Sequence, residues 1–532
     1  MSEQVEVWLD EVGRAAHRVG VLRPSFQGGR TLASVSFQYD TAYLGRPDSY
    51  AISPDLPLRP TWQFAAENQM LFGAFDDASP DEWGKKIIDA NHARSRVGDP
   101  TLAPRLGEFD YLVGISDATR IGALRLRDPN TDRWLSDDHG VDNGHDLDRV
   151  VAAARRYEAN EATDEDMDYL GDIATSPGGA RPKANVLTAA GRLGIAKLPH
   201  SKDGGIDVER WEALALELAE RCGIRTTSRA LYPTGDDKSV LVVERFDRTP
   251  DRQRIPYLSA RTALGIGAND DRRVTYEEFT DTIADLCRHP RVELREMFAR
   301  IALTLFVNNV DDHWRNHGFL RRHDGWTLSP VFDVNPSRFS SVRSRAINAD
   351  DDPRHRDIGH LIASASAFRL RPAEAAALIQ QVADQVDRWP EIARELAIPA
   401  EQQRVMEVAF DASARQRARE LVAPILASAP QPPPRSGKGA ALDRLGELLG
   451  AHYELGRGSN IPNQLFIDAA RRAGVSIDGT MPERAERVVA AAGLPWDAAF
   501  DSRDTPSGGG STVTLAGLER LIEALAAMTS ES

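Results

Sequence analysis

Alternation of apolar and polar positions dominates the start of the chain. Val5-Glu6-Val7-Trp8-Leu9 alternates, and so do Gly20-Val21-Leu22 and Ala33-Ser34-Val35-Ser36-Phe37-Gln38-Tyr39. This pattern marks half-buried strands, and Gly28-Gly29 between the last two predicts a turn. Asp55-Leu56-Pro57-Leu58 predicts a loop with apolar anchors. The spacing predicts a helix over 79–91, opened by Ser79 as cap with Pro80 in the first turn. Leu112-Val113-Gly114 and Gly122-Ala123-Leu124-Arg125-Leu126 predict two further strands, or a strand and a turn. Residues 1–126 are therefore expected to form a β-rich domain.

Beyond this point the period lengthens. Residues 127–146, rich in Asp, Asn and Gly, predict a surface loop. A helix is expected from about Asp148 through Tyr157, followed by an acidic, partly solvated stretch over 158–172. Val186-Leu187-Thr188 and Leu193-Gly194-Ile195-Ala196-Lys197 predict a hairpin. From Val208 to Cys222, Trp211, Leu214, Ala215, Leu218, Ala219 and Cys222 line one helical face, and Gly223 ends it. Ser239 to Arg248 predicts a buried strand with a charged exit. Residues 259–320 are expected to be helical, with Thr275 and Glu278 as a capping box. Residues 338–357 predict a mobile surface segment, and 370–426 more helices. A Pro-then-Gly/Ser linker over 427–440 leads to a helical module over 441–532, with helices near 441–452, 462–473, 482–492 and 515–528.

A chain of 532 residues is long enough for several domains. Its net charge of −15 argues against a nucleic-acid footprint over the whole protein. Two cysteines, Cys222 and Cys287, do not make a disulfide framework. No apolar run reaches membrane-spanning length, and the acidic N-terminus is not a signal peptide. A cytoplasmic protein without membrane contact is expected.

The chemistry concentrates in Asn308-Asn309-Val310-Asp311-Asp312-His313-Trp314-Arg315-Asn316-His317-Gly318. Asp311 and Asn316 lie five apart, and Leu328 to Asp333 predicts a short strand ending in an acid. Asp, Asn and a second Asp in this order suit a phosphoryl-transfer site of the protein-kinase type. Taken alone, the stretch fits a solvated loop equally well. Upstream, Ser176-Pro177-Gly178-Gly179-Ala180-Arg181-Pro182-Lys183 fits a phosphate cradle with positive charge from Arg181 and Lys183, or a plain turn. Lys197 sits where a kinase places its phosphate-pairing lysine, or is a lysine at a sheet edge reaching water. Glu212 borders the apolar helix face, as a pairing partner for Lys197 or as a solvated acid.

In their order, these motifs resemble the HipA family of toxin–antitoxin Ser/Thr kinases. The resemblance runs through Tyr43-Leu44, Leu56-Pro57-Leu58, Arg120-Ile121-Gly122-Ala123-Leu124, the 178–183 loop, Lys197-Leu198-Pro199, Glu212 with Gly223, Glu244-Arg245-Phe246-Asp247-Arg248, the 309–316 stretch, and Leu328-Ser329-Pro330 with Asp333. It covers residues 1–425. It implies an α+β, protein-kinase-like two-lobed fold: the β-rich front over 1–126, a kinase domain over 148–426 with a mostly helical C-lobe, and a small helical extension. It implies ATP and Mg²⁺ as cofactors. Asp311 would be the catalytic base, Asn316 and Asp333 the metal ligands, and Lys197, Gly178, Gly179, Ala180 and Lys183 the phosphate contacts. Glu244 and Phe246 would meet the adenine, Asp247 the ribose; Glu212 and His313 would support. Ser176 falls where the family modifies itself, a charge-adding switch beside Arg181 and Lys183. The implied partners are a protein substrate, with aminoacyl-tRNA synthetases known as family targets, and a HipB-like helix-turn-helix antitoxin through which DNA is contacted indirectly.

Two features depart from the family pattern. His317 stands where an apolar or aromatic residue is expected, and the module after residue 440 has no family counterpart. Two alternatives use the same residues differently. One is a non-catalytic kinase-fold scaffold or co-repressor bound to a DNA-binding antitoxin. The other is a metal-dependent phosphoesterase with Asp311, Asp312, His313 and Asp333 as ligands.

Overall fold

The computed structural model describes residues 4–428 apart from 28–30, 67–68, 137–146, 175–178, 236, 268–271, 323–324 and 340–344, together with Phe500–Asp501 and Thr512–Val513. The chain divides into two units, 1–428 and 429–532. In the second, Phe500–Asp501 pairs antiparallel with Thr512–Val513. The four helices expected there lie outside the described residues. The helix Ala412–Ser428 runs through the first two positions of the expected linker. Among the described residues no helix is long and apolar enough to cross a membrane.

The first unit opens with a five-stranded antiparallel sheet. Its order is Gln63–Phe64, Thr31–Tyr39, His17–Gln27, Val5–Leu9, Leu124–Arg127. Alternation sends Val5, Val7 and Leu9 inward with Val35, Phe37 and Tyr39, and they share one core with Phe75, Phe109 and Leu112. Leu112 to Gly114, expected as a strand, belong to the helix Glu108–Gly114. Three apolar residues are too short a run to separate the two periods. Asp110 decides it by accepting the Gly107 amide at 2.9 Å at the helix start. The helix before it, Glu82–Gly98, is capped by Asp81, whose Oδ1 accepts the Gly84 amide at 2.6 Å. Ser79, the expected cap, donates to the Phe75 carbonyl at 2.8 Å instead.

A four-stranded antiparallel sheet follows, ordered Lys183–Leu187, Leu193–Lys197, Ser239–Glu244, Arg229–Pro233. Ala184, Val186, Ala196, Val240 and Val242 pack with the helices Glu82–Gly98, Leu147–Glu158 and Asp164–Ile173. The last of these occupies the acidic stretch expected to be partly solvated. Thr163 and Asp166 cap it reciprocally, and Met167, Leu170 and Ile173 form its buried stripe. Trp83, from the β-rich front, is buried in the same core, and its indole N–H donates to the Lys183 carbonyl at 3.1 Å.

Leu241 joins a second core with Trp211, Leu214 and Leu218 of the helix Val208–Arg221. This core continues into the helices Tyr276–Leu286, Pro290–Phe306 and Pro372–Val386. The expected helical run over 259–320 is interrupted by a three-stranded sheet of Tyr257–Ser259, Gly318–Arg322 and Gly325–Leu328. That sheet fixes the far end of the 308–317 loop. Residues 345–357, expected as a mobile surface segment, are docked. Ile347 is buried, and the carbonyls of Ala346 and Ile347 accept the amides of Tyr276 and Glu277 at 3.0 and 2.9 Å. Arg356 donates to the carbonyls of Thr304 and Asn309 at 3.2 and 2.7 Å.

Trp83→Ala removes a buried indole and its bond to Lys183, so it should cost about 3–5 kcal/mol. Denaturant unfolding followed by circular dichroism measures this, and a loss under about 1 kcal/mol would show the contact to be peripheral.

Candidate active site

Lys197 ends the second strand of the four-stranded sheet. Its Nζ donates to Glu212 Oε1 at 2.6 Å and also contacts Asp333 Oδ1. One cation thus joins a strand, a helix and a loop distant in sequence. Burial works against a charged lysine here, but Asp333 and Glu212 outweigh it and raise its pKa, so the ammonium persists. Asp333 is itself desolvated, yet Lys197 and then Lys183 hold it below the usual carboxylate range. Burial pushes Glu212 upward. The strand expected to run to Asp333 ends at Leu328. Residues 329–333 are instead pinned singly: Ser329 donates its amide to Gly318 O at 2.7 Å, and Val331 to Arg225 O at 2.8 Å. Asp333 adopts φ +54°, a left-handed conformation that costs a non-glycine residue about 1–2 kcal/mol.

The 308–317 loop leaves the helix Pro290–Phe306 through Asn308, also left-handed at φ +48°. Asp311 is exposed. The Asn316 amide nitrogen donates to the Asp311 carbonyl at 3.0 Å, tying the two residues together. Asp312 faces inward. Its Oδ2 accepts the Tyr276 hydroxyl, and its Oδ1 lies 3.0 Å from His317 Nε2. Burial would raise the Asp312 pKa, but His317 and Tyr276 outweigh it and bring it down to about 2. His317, where an apolar or aromatic residue was expected, packs like one against Tyr276, Phe279 and Trp314. His313 stands among the charges of Asp311, Asp312 and Asp333, and burial nonetheless lowers its pKa. Its Nδ1 is buried with no hydrogen-bond partner among the described residues.

In the glycine loop, Ser176 and Gly178 lie outside the described residues. Gly179 takes φ +99°, where any side chain is strained, and Ala180 is exposed. The two cations expected to face a phosphate are already paired. Arg181 forks onto Asp203 at 2.6 and 2.7 Å and reaches Glu209 at 2.5 Å. Lys183 is buried with its Nζ 3.0 Å from Asp81 Oδ2. Asp81, Asp203 and Glu209 carry no motif signal, and only the fold brings them here.

At the lobe-crossing segment, Glu244 accepts from Arg192 at 2.9 Å. Phe246 is half-buried, its ring 5.3 Å from Phe332 and 5.7 Å from Tyr257. Asp247 corrects the expectation of a ribose contact. It is 1 % exposed and both oxygens are taken: Oδ1 by Arg245 at 2.8 Å, and Oδ2 by the Gly122 amide, Arg245 and Arg248 at 2.6–2.8 Å. Burial opposes its charge, but the two arginines outweigh this and hold it well below the usual range. It ties the crossing segment to Gly122 of the β-rich front.

Magnesium takes oxygen ligands and usually keeps only one or two carboxylates beside phosphate oxygens and water. Asp333 has one oxygen on Lys197. Asn316 commits its nitrogen to Asp311, leaving its amide oxygen for a cation. One carboxylate and one amide oxygen are donor types that ion takes. A four-ligand phosphoesterase centre fits poorly, because Asp312 is spent on Tyr276 and His317.

Residues 175–389 match the family model of the HipA-like C-terminal domain. The HipA of Shewanella oneidensis MR-1, solved with HipB and its operator DNA, superposes with a TM-score of 0.53 at 17% identity, covering 80% of this chain and 100% of that one. The Helicobacter pylori proinflammatory kinase CtkA matches at a TM-score of 0.30 and 15% identity, over 46% of this chain and 94% of its own. Comparison with curated proteins found no match. The fold is α+β and kinase-like, with HipA among its neighbours.

Asp312 is ionised in the fold down to about pH 2, while an unfolded aspartate titrates near 4, so its stabilisation is complete above about pH 4 and is lost as pH falls through 2. Asp312→Asn should cost on the order of 2 kcal/mol at neutral pH and flatten the acid limb of the stability curve. Urea unfolding across pH 2–7 reads both.

Proposed function

With a HipA-like C-terminal domain over residues 175–389 and a kinase-like fold as premise, we propose that this protein is an ATP- and Mg²⁺-dependent Ser/Thr protein kinase, the toxin of a HipBA-like toxin–antitoxin pair. The observation that carries the reading is the placement of Lys197 between Glu212 and Asp333. A kinase needs a lysine held by a helix glutamate beside a metal-binding aspartate. A merely structural lysine does not need two acids, one of them buried.

Bound ATP with Mg²⁺ supplies the transferable phosphoryl group and the cationic charge that shields it. Asp311, exposed at the loop tip, accepts the proton of the attacking hydroxyl. Asn316 and Asp333 hold the metal. Lys197 orients the nucleotide phosphates while remaining protonated. Phe246 with Phe332 offers an apolar wall to the base. The antitoxin is a HipB-like DNA-binding protein, and DNA is contacted through it. Ser176 is the first self-modified hydroxyl in this reading.

The purified protein with radiolabelled ATP should label itself and a protein substrate. Asp311→Ala should lower transfer by about 10²–10⁴-fold while nucleotide binding persists. Transfer at the wild-type rate in that variant would remove Asp311 from the mechanism. Lys197→Met should abolish growth arrest on expression. Ser176→Ala should remove self-labelling and leave transfer to another protein intact.

A further inference from the structure

One short stretch of the β-rich front, 76–81, touches both lobes. Asp76 Oδ2 accepts from Arg315 Nη2 at 2.5 Å, and Arg315 adjoins Asn316 in the 308–317 loop. Asp77 is buried and accepts both the amide and the hydroxyl of Ser259, at 2.7 and 2.6 Å. Ser259 in turn caps the helix Ala260–Ala263. Both contacts hold the helical lobe. Asp81, four residues on from Asp77, holds Lys183 at 3.0 Å on the glycine-loop strand of the sheet lobe.

The stretch is stiff. It leaves the helix Gly73–Asp77 and enters the helix Glu82–Gly98, with Ala78 and Ser79 buried between them. Gly73 lies so close to Thr262 that an added Cβ would fall 2.2 Å from Thr262 Cγ2. The front and the helical lobe therefore meet almost backbone to side chain at this point.

We infer that the 76–81 stretch is an interlobe brace that sets the distance between the 308–317 loop and the glycine-loop strand. Asp76 acts as a positioning residue through Arg315. The proposal rests on the phosphoryl-transfer reading for its link to rate. The physical need is general: a chain crossing between lobes is one connection and leaves a hinge, whereas a second connection removes the freedom to rock. Misplacing reacting groups by about 1 Å costs about 10²-fold in rate.

The test uses the full chain with Asp76→Asn, which removes the charge and keeps the shape, and Asp76→Glu, which restores the charge. Amide hydrogen exchange without nucleotide is read on peptides spanning 311–317 and, as internal reference, His17–Gln27. Phosphoryl transfer is measured in parallel. Asp76→Asn should speed exchange over 311–317 by about fivefold or more, leave the reference strand unchanged, and lower kcat about tenfold with KM for ATP within about twofold. Asp76→Glu should recover both readouts. Unchanged exchange and kcat in Asp76→Asn, with wild-type transfer intact, would overturn the brace and leave the kinase reading standing. Faster exchange in the reference strand too would reduce Asp76 to a general stability contact and likewise overturn it. Faster exchange confined to the loop, in a protein whose wild type transfers no phosphoryl group, would support the brace and refute the kinase reading.

Discussion

Three charges meet at Lys197, Glu212 and Asp333, Glu212 buried and the other two half-buried, and the arrangement of the first unit follows from the need to keep them together. Glu212, the most enclosed of the three, would be costly alone, and removing Lys197 would leave its charge uncompensated. The strand ending at Lys197, the helix bearing Glu212 and the loop bearing Asp333 are therefore tied in one arrangement. The left-handed backbone at Asp333 persists under this constraint, because the ion pair and the Phe332–Phe246 contact hold it from both sides.

The same economy of charge recurs around the site. Lys183 answers to Asp81, Arg181 to Asp203 and Glu209, and Asp247 to Arg245 and Arg248. Cations that the motif alone would aim at a phosphate already have carboxylate partners. A nucleotide would have to share or displace these partners, so the acids around the glycine loop set how strongly it attracts anions. The pairs also join the β-rich front to the lobes, through Asp81 on one side and through Asp247 to the Gly122 amide on the other.

The 308–317 loop divides its two adjacent acids by environment. Asp311 faces solvent, while Asp312 is buried against Tyr276 and His317 and serves the scaffold. The histidine that looked out of place for an aromatic position satisfies both demands: its ring packs among Tyr276, Phe279 and Trp314, and its nitrogen meets Asp312.

Elements whose signal is local could be read from the chain alone. The alternating strands of the front sheet, the amphipathic helix Val208–Arg221, and the ordered polar residues Lys197, Glu212, Asp311, Asn316 and Asp333 were all legible, because a period or a spacing is a property of neighbours along the chain. Local pattern misjudges 112–114, where three residues cannot separate two periods. Residues 158–172 are partly solvated as expected, but the helix with its buried stripe was not foreseen there, and local pattern also misjudges 345–357, whose docking depends on Arg356 and Ile347 finding distant partners. Folding in three dimensions makes Asp247 a buried tie, pairs Arg181 and Lys183 with acids, and lets 76–81 touch both lobes. Apart from the neighbouring arginines of Asp247, those facts rest on contacts between residues from about twenty to more than two hundred positions apart, and such contacts leave no periodic trace in the chain that makes them.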